Sequence, residues 1–116
     1  MIAVIFEVLV PEARAAEYLA HAEALAPELG RIDGFISVER FRSLGDPGKL
    51  LSLSFWRDEA SVERWRNHDL HRDAQAAGRG GVFAGYRLRI AAVARDYGMH
   101  ERREQAPPDS RMRHGD

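Results

Sequence analysis

The sequence predicts a single α+β domain with the element order strand–helix–strand–strand–helix–strand, an antiparallel four-stranded sheet carrying its helices on one face. Three observations point there. Short runs rich in Val, Ile, Leu and Phe alternate with longer segments of helical periodicity, with no internal repeat between them. The chain has 116 residues, enough for one core and too few for two domains. The two middle strands are separated by the short turn Gly45-Asp46-Pro47-Gly48, which joins them as a hairpin. This order is the split βαβ, ferredoxin-like arrangement.

The first strand runs from Ile2 to Val10. One face carries Ile2, Val4, Phe6, Val8 and Val10, the other Ala3, Ile5, Glu7 and Leu9. Both faces are largely apolar, so both require cover. One layer of helices covers one face, and a second copy of the chain is expected on the other. Pro11 and Glu12 open a helix to about Gly30, with an inward stripe of Ala15, Leu19, Ala22, Ala26 and Leu29. Pro27 removes a helical donor and crowds the preceding turn, which predicts a break near Ala26.

Asp33-Gly34 turns the chain into a second strand, Phe35 to Leu44, alternating through Ile36, Val38, Phe41 and Leu44. Arg40 and Arg42 on it read as a solvated edge. The third strand is Lys49 to Arg57, with Leu51, Leu53 and Phe55 on one face and Leu50, Ser52, Ser54 and Trp56 on the other. Asp58 is a good N-cap for the next helix, with Glu59 and Glu63 in its early turns and Val62 and Trp65 on one face. A second helical piece follows Asn67 to about Ala77 and ends at Gly78-Arg79-Gly80-Gly81. These glycines follow a helix instead of leading into one, so they are not a phosphate loop. Tyr86 to Tyr97 is the last strand. The domain is taken as residues 1–97, followed by a charged C-terminal tail, residues 98–116.

Composition narrows the function classes. Hydrophobic residues make up 45% and charged residues 30%, ordinary for a globular protein, and the formal net charge of -1 gives no electrostatic case for nucleic acid or an acidic membrane. There are no cysteines, which removes disulfides, thiolate metal sites and cysteine nucleophiles and is compatible with a reducing cytoplasm. Met1 to Val10 is too short for a membrane span, and with Glu7 at its centre it is a poor leader.

The distinctive side chains concentrate between Trp56 and His71. Trp65 reads as core or as a pocket wall, and Trp56 as packing or substrate contact. His68 and His71 stand three apart, a spacing that puts both on one helical face. No third ligand accompanies them, so no metal site is assigned. An imidazole acting as acid or base fits better, since its pKa lies near neutrality. Arg87 and Arg89 share one face of the last strand, which should neighbour the first; they read either as partners of Glu7 or as stabilisers of an anion developing on a substrate. His21, His100 and His114 read as surface or tail residues.

Taken together, the element order, the length, the strand ending in Trp56, the helix start Asp58-Glu59-Ala60, Trp65 and His71 early in the following helix resemble the antibiotic biosynthesis monooxygenase family of dimeric α/β barrels, over roughly Met1 to Tyr97. The resemblance implies a homodimer whose two sheets close into a barrel. It implies oxidation of a small aromatic, quinol or anthrone-like substrate by dioxygen, with no metal or flavin cofactor. His71 is the expected base, Arg87 and Arg89 the anion stabilisers, and Trp65, His68, Gln75 and Trp56 the substrate contacts. The haem-degrading branch of that family is a poorer match. It uses an asparagine on the first strand, where Phe6 and Glu7 stand, and a histidine where Gln75 stands; only Trp65 agrees. Two further readings come from other classes: a non-catalytic dimer that binds a small hydrophobic molecule, and a structural protein whose tail recruits a partner.

Overall fold

A computed structural model of the protein describes residues 1–68, 76 and 81–110. The elements are β1 (Ile2–Leu9), a 3-10 turn (Glu12–Arg14), α1 (Ala15–Leu29), β2 (Phe35–Arg42), β3 (Lys49–Trp56), α2 (Glu59–Arg66), β4 (Gly85–Ala92) and a second 3-10 turn (Arg103–Gln105). Of the predicted helical piece after Asn67, only His68 and Ala76 are among the described residues; His71 and Gln75 lie outside them.

All four strands form one sheet in the order β2-β3-β1-β4, with every neighbouring pair antiparallel. Glu7 stands opposite Leu51 on one side and Arg87 on the other, and Phe6 opposite Ser52 and Leu88. Residues opposite one another share a face. One face therefore carries Ile2, Val4, Phe6, Val8, Leu50 and Trp56, against which α1 and α2 pack. The open face carries Ile5, Glu7, Leu51, Leu53, Phe55, Arg87 and Arg89.

The helix side holds two core clusters. Val8, Val10, Tyr18, Leu50 and Val82 form one, with Phe6, Ala15 and Phe83 against it. Leu29, Trp56 and Val62 form the other, with Ile2, Val4, Phe35, Val38 and Trp65 around them. Trp56 is 1% exposed; its indole N–H donates to Ser54 Oγ at 2.9 Å and its ring meets Phe35 edge-on at 5.3 Å. The indole thus buries its apolar rings without orphaning its donor.

Four local expectations need correction. First, α1 runs without interruption to Leu29, through Pro27. Pro27 lies in the last turn, and both it and Glu23, whose carbonyl loses its partner, are exposed, so the lost bond does not strand a buried group. Second, the inward stripe is Tyr18, Ala22 and Leu29, whereas Leu19 is 42% exposed and Ala26 is also exposed. Third, a register irregularity between Phe35 and Ser37 puts Phe35 and Val38 on the core side and leaves Ile36 outside; β2 then ends at Arg42, with Leu44 fully exposed beyond it. Fourth, β4 stops at Ala92 instead of Tyr97, and the chain beyond turns back on itself. There the Asp96 N–H donates to Gln105 Oε1 at 2.9 Å, the Arg103 guanidinium lies 5.2 Å over the Tyr97 ring and bonds the Gly98 carbonyl, and Ala106 is buried.

The Asp58 cap is as expected. Its carboxylate accepts from the Ser61 N–H at 2.8 Å and the Ser61 hydroxyl at 2.6 Å. These bonds, the hydroxyl first and then the backbone, hold its pKa down at about 2. Such a group stabilises the fold above the unfolded aspartate pKa of about 3.9, and that contribution disappears as pH falls toward 2. Gly34 lies alongside this cap with φ +95°; a Cβ there would meet Ser61 Oγ at 1.8 Å and Ser61 Cβ at 2.6 Å.

Gly34→Ala is expected to cost roughly 2–4 kcal/mol in urea unfolding, through backbone strain and overlap together. Adding Ser61→Ala should not restore it, because the Ser61 Cβ remains. Trp56→Phe should cost about 1–3 kcal/mol by the same assay, for lost volume and a lost donor. Asp58→Ala should lower Tm at pH 6, and the gap to the parent protein should close as pH approaches 2.

Candidate functional site

The helix side of the sheet is where aromatic side chains gather. Phe6 on β1 lies 5.7 Å from Phe83 and 5.8 Å from Tyr86, and Tyr18 on α1 lies 5.8 Å from Phe83, all as centroid distances in edge or tilted contact. Such geometry suits the ring quadrupoles. Tyr18 is brought there because it falls on the inward stripe of α1, and Phe6 because even-numbered residues of β1 face the helices. Tyr86 and Leu88, on the same side of β4, are 68% and 50% exposed.

At one end of this layer opens a cleft of about 300 Å³. Val10, Ala15 and Leu50 supply its apolar wall, and Glu12, Arg42, Pro47 and Gly48 line the rest. That volume is at the lower end of the range for small-ligand sites. Arg42 is fixed there by a bond from Nη1 to the Pro47 carbonyl at 3.1 Å.

Arg40 belongs to the same layer: it lies on edge strand β2 as expected, but it is half-buried instead of fully solvated, while Arg42 is exposed. It stands opposite Ser52, which stands opposite Phe6, so its side chain rises on the helix side. Burial pushes the Tyr18 phenol pKa up, and the positive charge of the nearby Arg40 opposes that shift. The Arg40 Nε is enclosed with no hydrogen-bond partner. The sequence carried one signal for this pair: Tyr18, Ala22, Leu25 and Leu29 have spacing as helical as the stripe chosen, and include the one aromatic.

The residues singled out from sequence divide into separate places. Trp65 and His68 lie together at the C-terminal end of α2, ring centroids 5.6 Å apart, with His68 Nε2 3.6 Å from Glu28 Oε2. Trp65 packs against the same Leu29–Trp56–Val62 cluster as Ile2 and Val4, so this pair sits on the helix side but at the opposite end of β1 from the cleft. Trp56, expected among the substrate contacts, is sealed inside the core and offers no surface to a ligand. His71 and Gln75 lie outside the described residues.

Arg87 and Arg89 are on the open face, with the sheet between them and Trp65. Glu7 links that face together, with Lys49 Nζ at 3.3 Å and Arg89 Nη1 at 3.2 Å. The Lys49 hydrogen bond, aided by the charges of Lys49 and Arg89, holds the Glu7 carboxyl below its ordinary pKa against the opposing effect of burial. A shallow groove of about 250 Å³ runs beside it past Phe41 and Leu51. Among the described residues, no three His, Asp or Glu side chains converge as metal ligands, and no helix is long and apolar enough to cross a membrane.

Comparison with known proteins agrees with this architecture. Jasmonate monooxygenase ABM of Pyricularia oryzae is 45% identical over 111 residues, covering 96% of this chain and 52% of that protein. The Bacillus subtilis protein YqjZ is 32% identical over 62 residues, 53% of each chain. The chain thus matches about half the length of these curated relatives. A solved structure from Deinococcus radiodurans, classed with the antibiotic biosynthesis monooxygenases, superposes with a TM-score of 0.77 at 13% identity, covering 85% of this chain and 98% of its own. The family model for antibiotic biosynthesis monooxygenases matches residues 1–77. With its ferredoxin-like sheet and these relatives, the chain belongs to the antibiotic biosynthesis monooxygenase family.

Proposed function

We propose that the protein is a monooxygenase of small, electron-rich aromatic or hydrophobic molecules, quinol- or anthrone-like in chemistry, that binds them on the helix side of the sheet. The observation that carries this is the aromatic layer of Phe6, Tyr18, Phe83 and Tyr86 beside an apolar-walled cleft, in a chain whose Pyricularia oryzae relative is named a monooxygenase. Rings and aliphatic walls desolvate a flat substrate and leave few competing donors.

A phenolic or anthrone-type carbon acid needs little from the protein beyond that. Removal of a proton gives an electron-rich anion, which transfers an electron to dioxygen; the resulting radicals join in a carbon–oxygen bond. Loss of water from the hydroperoxide leaves a carbonyl. One oxygen atom enters the substrate and the other leaves as water, and all electrons come from the substrate. The protein supplies a base and a charge partner for the anion. His71 is the residue assigned the proton, with Trp65, His68 and Gln75 assigned to the substrate's surroundings. Arg87 and Arg89, across the sheet, are assigned to the second surface described next.

That second surface is the open face, assigned to a second copy of the chain. Ile5, Leu51, Leu53 and Phe55 form an apolar field around the Glu7–Lys49–Arg89 ion pairs, with Phe41 43% exposed at its edge. Apolar surface of this kind on a central strand marks an interface.

Purified protein is expected to accelerate oxygen uptake by an anthrone or a quinol above autoxidation. Uptake no faster than the protein-free rate across such a panel would overturn the oxygenase reading. His71→Ala should lower kcat about 10²- to 10⁴-fold, as loss of a general base does. Leu53→Glu should convert a dimer to monomer in sedimentation velocity; an unchanged species would place the interface elsewhere.

A further inference from the structure

We infer that the second copy of the chain sits on the open face with its β2 over β4, held in that arrangement by ion pairs from Glu39 of each copy to Arg87 and Arg89 of the other. This rests on the open face being the dimer face and goes beyond it by fixing which edges meet and which charges pair.

Glu39 stands opposite Leu53, Leu53 opposite Ile5 and Ile5 opposite Arg89, so these four share one rung of the open face. The next rung is Phe41, Leu51, Glu7 and Arg87. Ile5, Leu51 and Leu53 thus occupy the two central strands, the β2 edge carries an acid, and the β4 edge carries two bases. Among the strand residues of this face the acids are Glu7 and Glu39, and Glu7 is committed to Lys49 and Arg89. Among the described residues, Glu39 has no cation and Arg87 no carboxylate within ion-pairing distance. Both are exposed in the single chain, where water solvates them. Covering the face withdraws them from water, and a charge so withdrawn is tolerated only when paired. Glu39 of the other copy is the acid this face still has to offer Arg87.

Symmetry then selects the arrangement. Two identical sheets packed face to face are related by a twofold axis lying between them, and aligned sheets keep their strands within about 30° of one another. An axis running across the strands lays each strand on its own copy. Glu39 then faces the acidic edge of the other molecule, and the two arginines face the same two arginines. An axis running along the strands, between β3 and β1, lays β2 on β4 and β3 on β1. Glu39 comes over Arg89, one rung or about 7 Å from Arg87, and Leu53 comes over Ile5. Stacked sheets lie about 10 Å apart, a gap that a glutamate and an arginine side chain span together. Opposite charges meet at both edges and apolar residues meet between them, so the second arrangement is the complementary one.

Charge reversal at these two exposed positions, followed by sedimentation velocity on the full chain, tests the pairing. Glu39→Arg and Arg87→Glu should each weaken the dimer about tenfold or more, because each brings like charges together at both edges. An equimolar mixture of the two variants should dimerise at close to the parent concentration, since position 39 of each copy again meets an opposite charge at position 87 of the other. Single variants that dimerise like the parent, or a mixture no stronger than its components, overturn the proposal. Recovery on mixing also establishes that both variants fold. If one does not, Glu39→Gln and Arg87→Gln replace them, and each must then weaken the dimer several-fold. The interface and its arrangement fail separately. If Leu53→Glu breaks the dimer while the reversals leave it intact, the open face stands and this pairing is wrong; a parent protein that is monomeric removes the interface itself and this proposal with it.

Discussion

Strand β1 is apolar on both faces, lies inside the sheet between β3 and β4, and has helices from its own chain on one side. The rest of the molecule follows from how that strand is covered. On the helix side, Val8 is completely buried and Phe6 is drawn into the ring cluster with Phe83 and Tyr86. On the other side the same strand places Glu7 between Lys49 and Arg89, in an otherwise apolar field. A carboxylate on such a surface is tolerable only while it is paired, and pairing it to both neighbouring strands ties their register to its own.

This division separates two jobs that a small domain has to fit on one sheet. A binding pocket needs some apolar surface left loosely packed, and a partner needs a continuous apolar patch. On the helix side, α1 contributes to both clusters, with Tyr18 in one and Leu29 beside Trp56 in the other. The open face, which carries Ile5, Leu51, Leu53 and Phe55, is the surface proposed for a second copy. Arg40 and Arg89 illustrate the separation. Both are arginines on edge strands, yet Arg89 on the open face has Glu7 at 3.2 Å, whereas Arg40 rises on the helix side with its Nε enclosed.

Much of this was legible in the sequence. Element order, strand faces of β1 and β3, the hairpin turn and the Asp58 cap all follow from alternation, turn chemistry and a side-chain acceptor at a helix start. What failed had local physical causes. Two overlapping helical stripes fit α1 equally well, and the one with Tyr18 is buried because it puts the helix's one aromatic ring into the core cluster with Val8, Val10 and Leu50. Pro27 spared the helix because only one exposed carbonyl went unpaired. The irregularity after Phe35 shifts the inside–outside alternation of β2, and no residue type announces it, so Ile36, grouped with Val38 in the expected alternation, is exposed. The candidate site was less legible than the fold for the same reason. Trp65, Arg87 and Arg89 are chemically conspicuous, but which face of a strand a residue occupies depends on register, and the sheet separates them.

The claim on which the account depends is that ligand and partner occupy opposite faces of the sheet. Methyl-resolved NMR of the protein titrated with an aromatic acid such as 2-naphthoate tests it directly. The account predicts that the resonances of Val8, Val10 and Leu50 move with a common saturation curve while those of Ile5, Leu51 and Leu53 stay in place. Shifts concentrated on Ile5, Leu51 and Leu53, with Val8, Val10 and Leu50 unmoved, would contradict it.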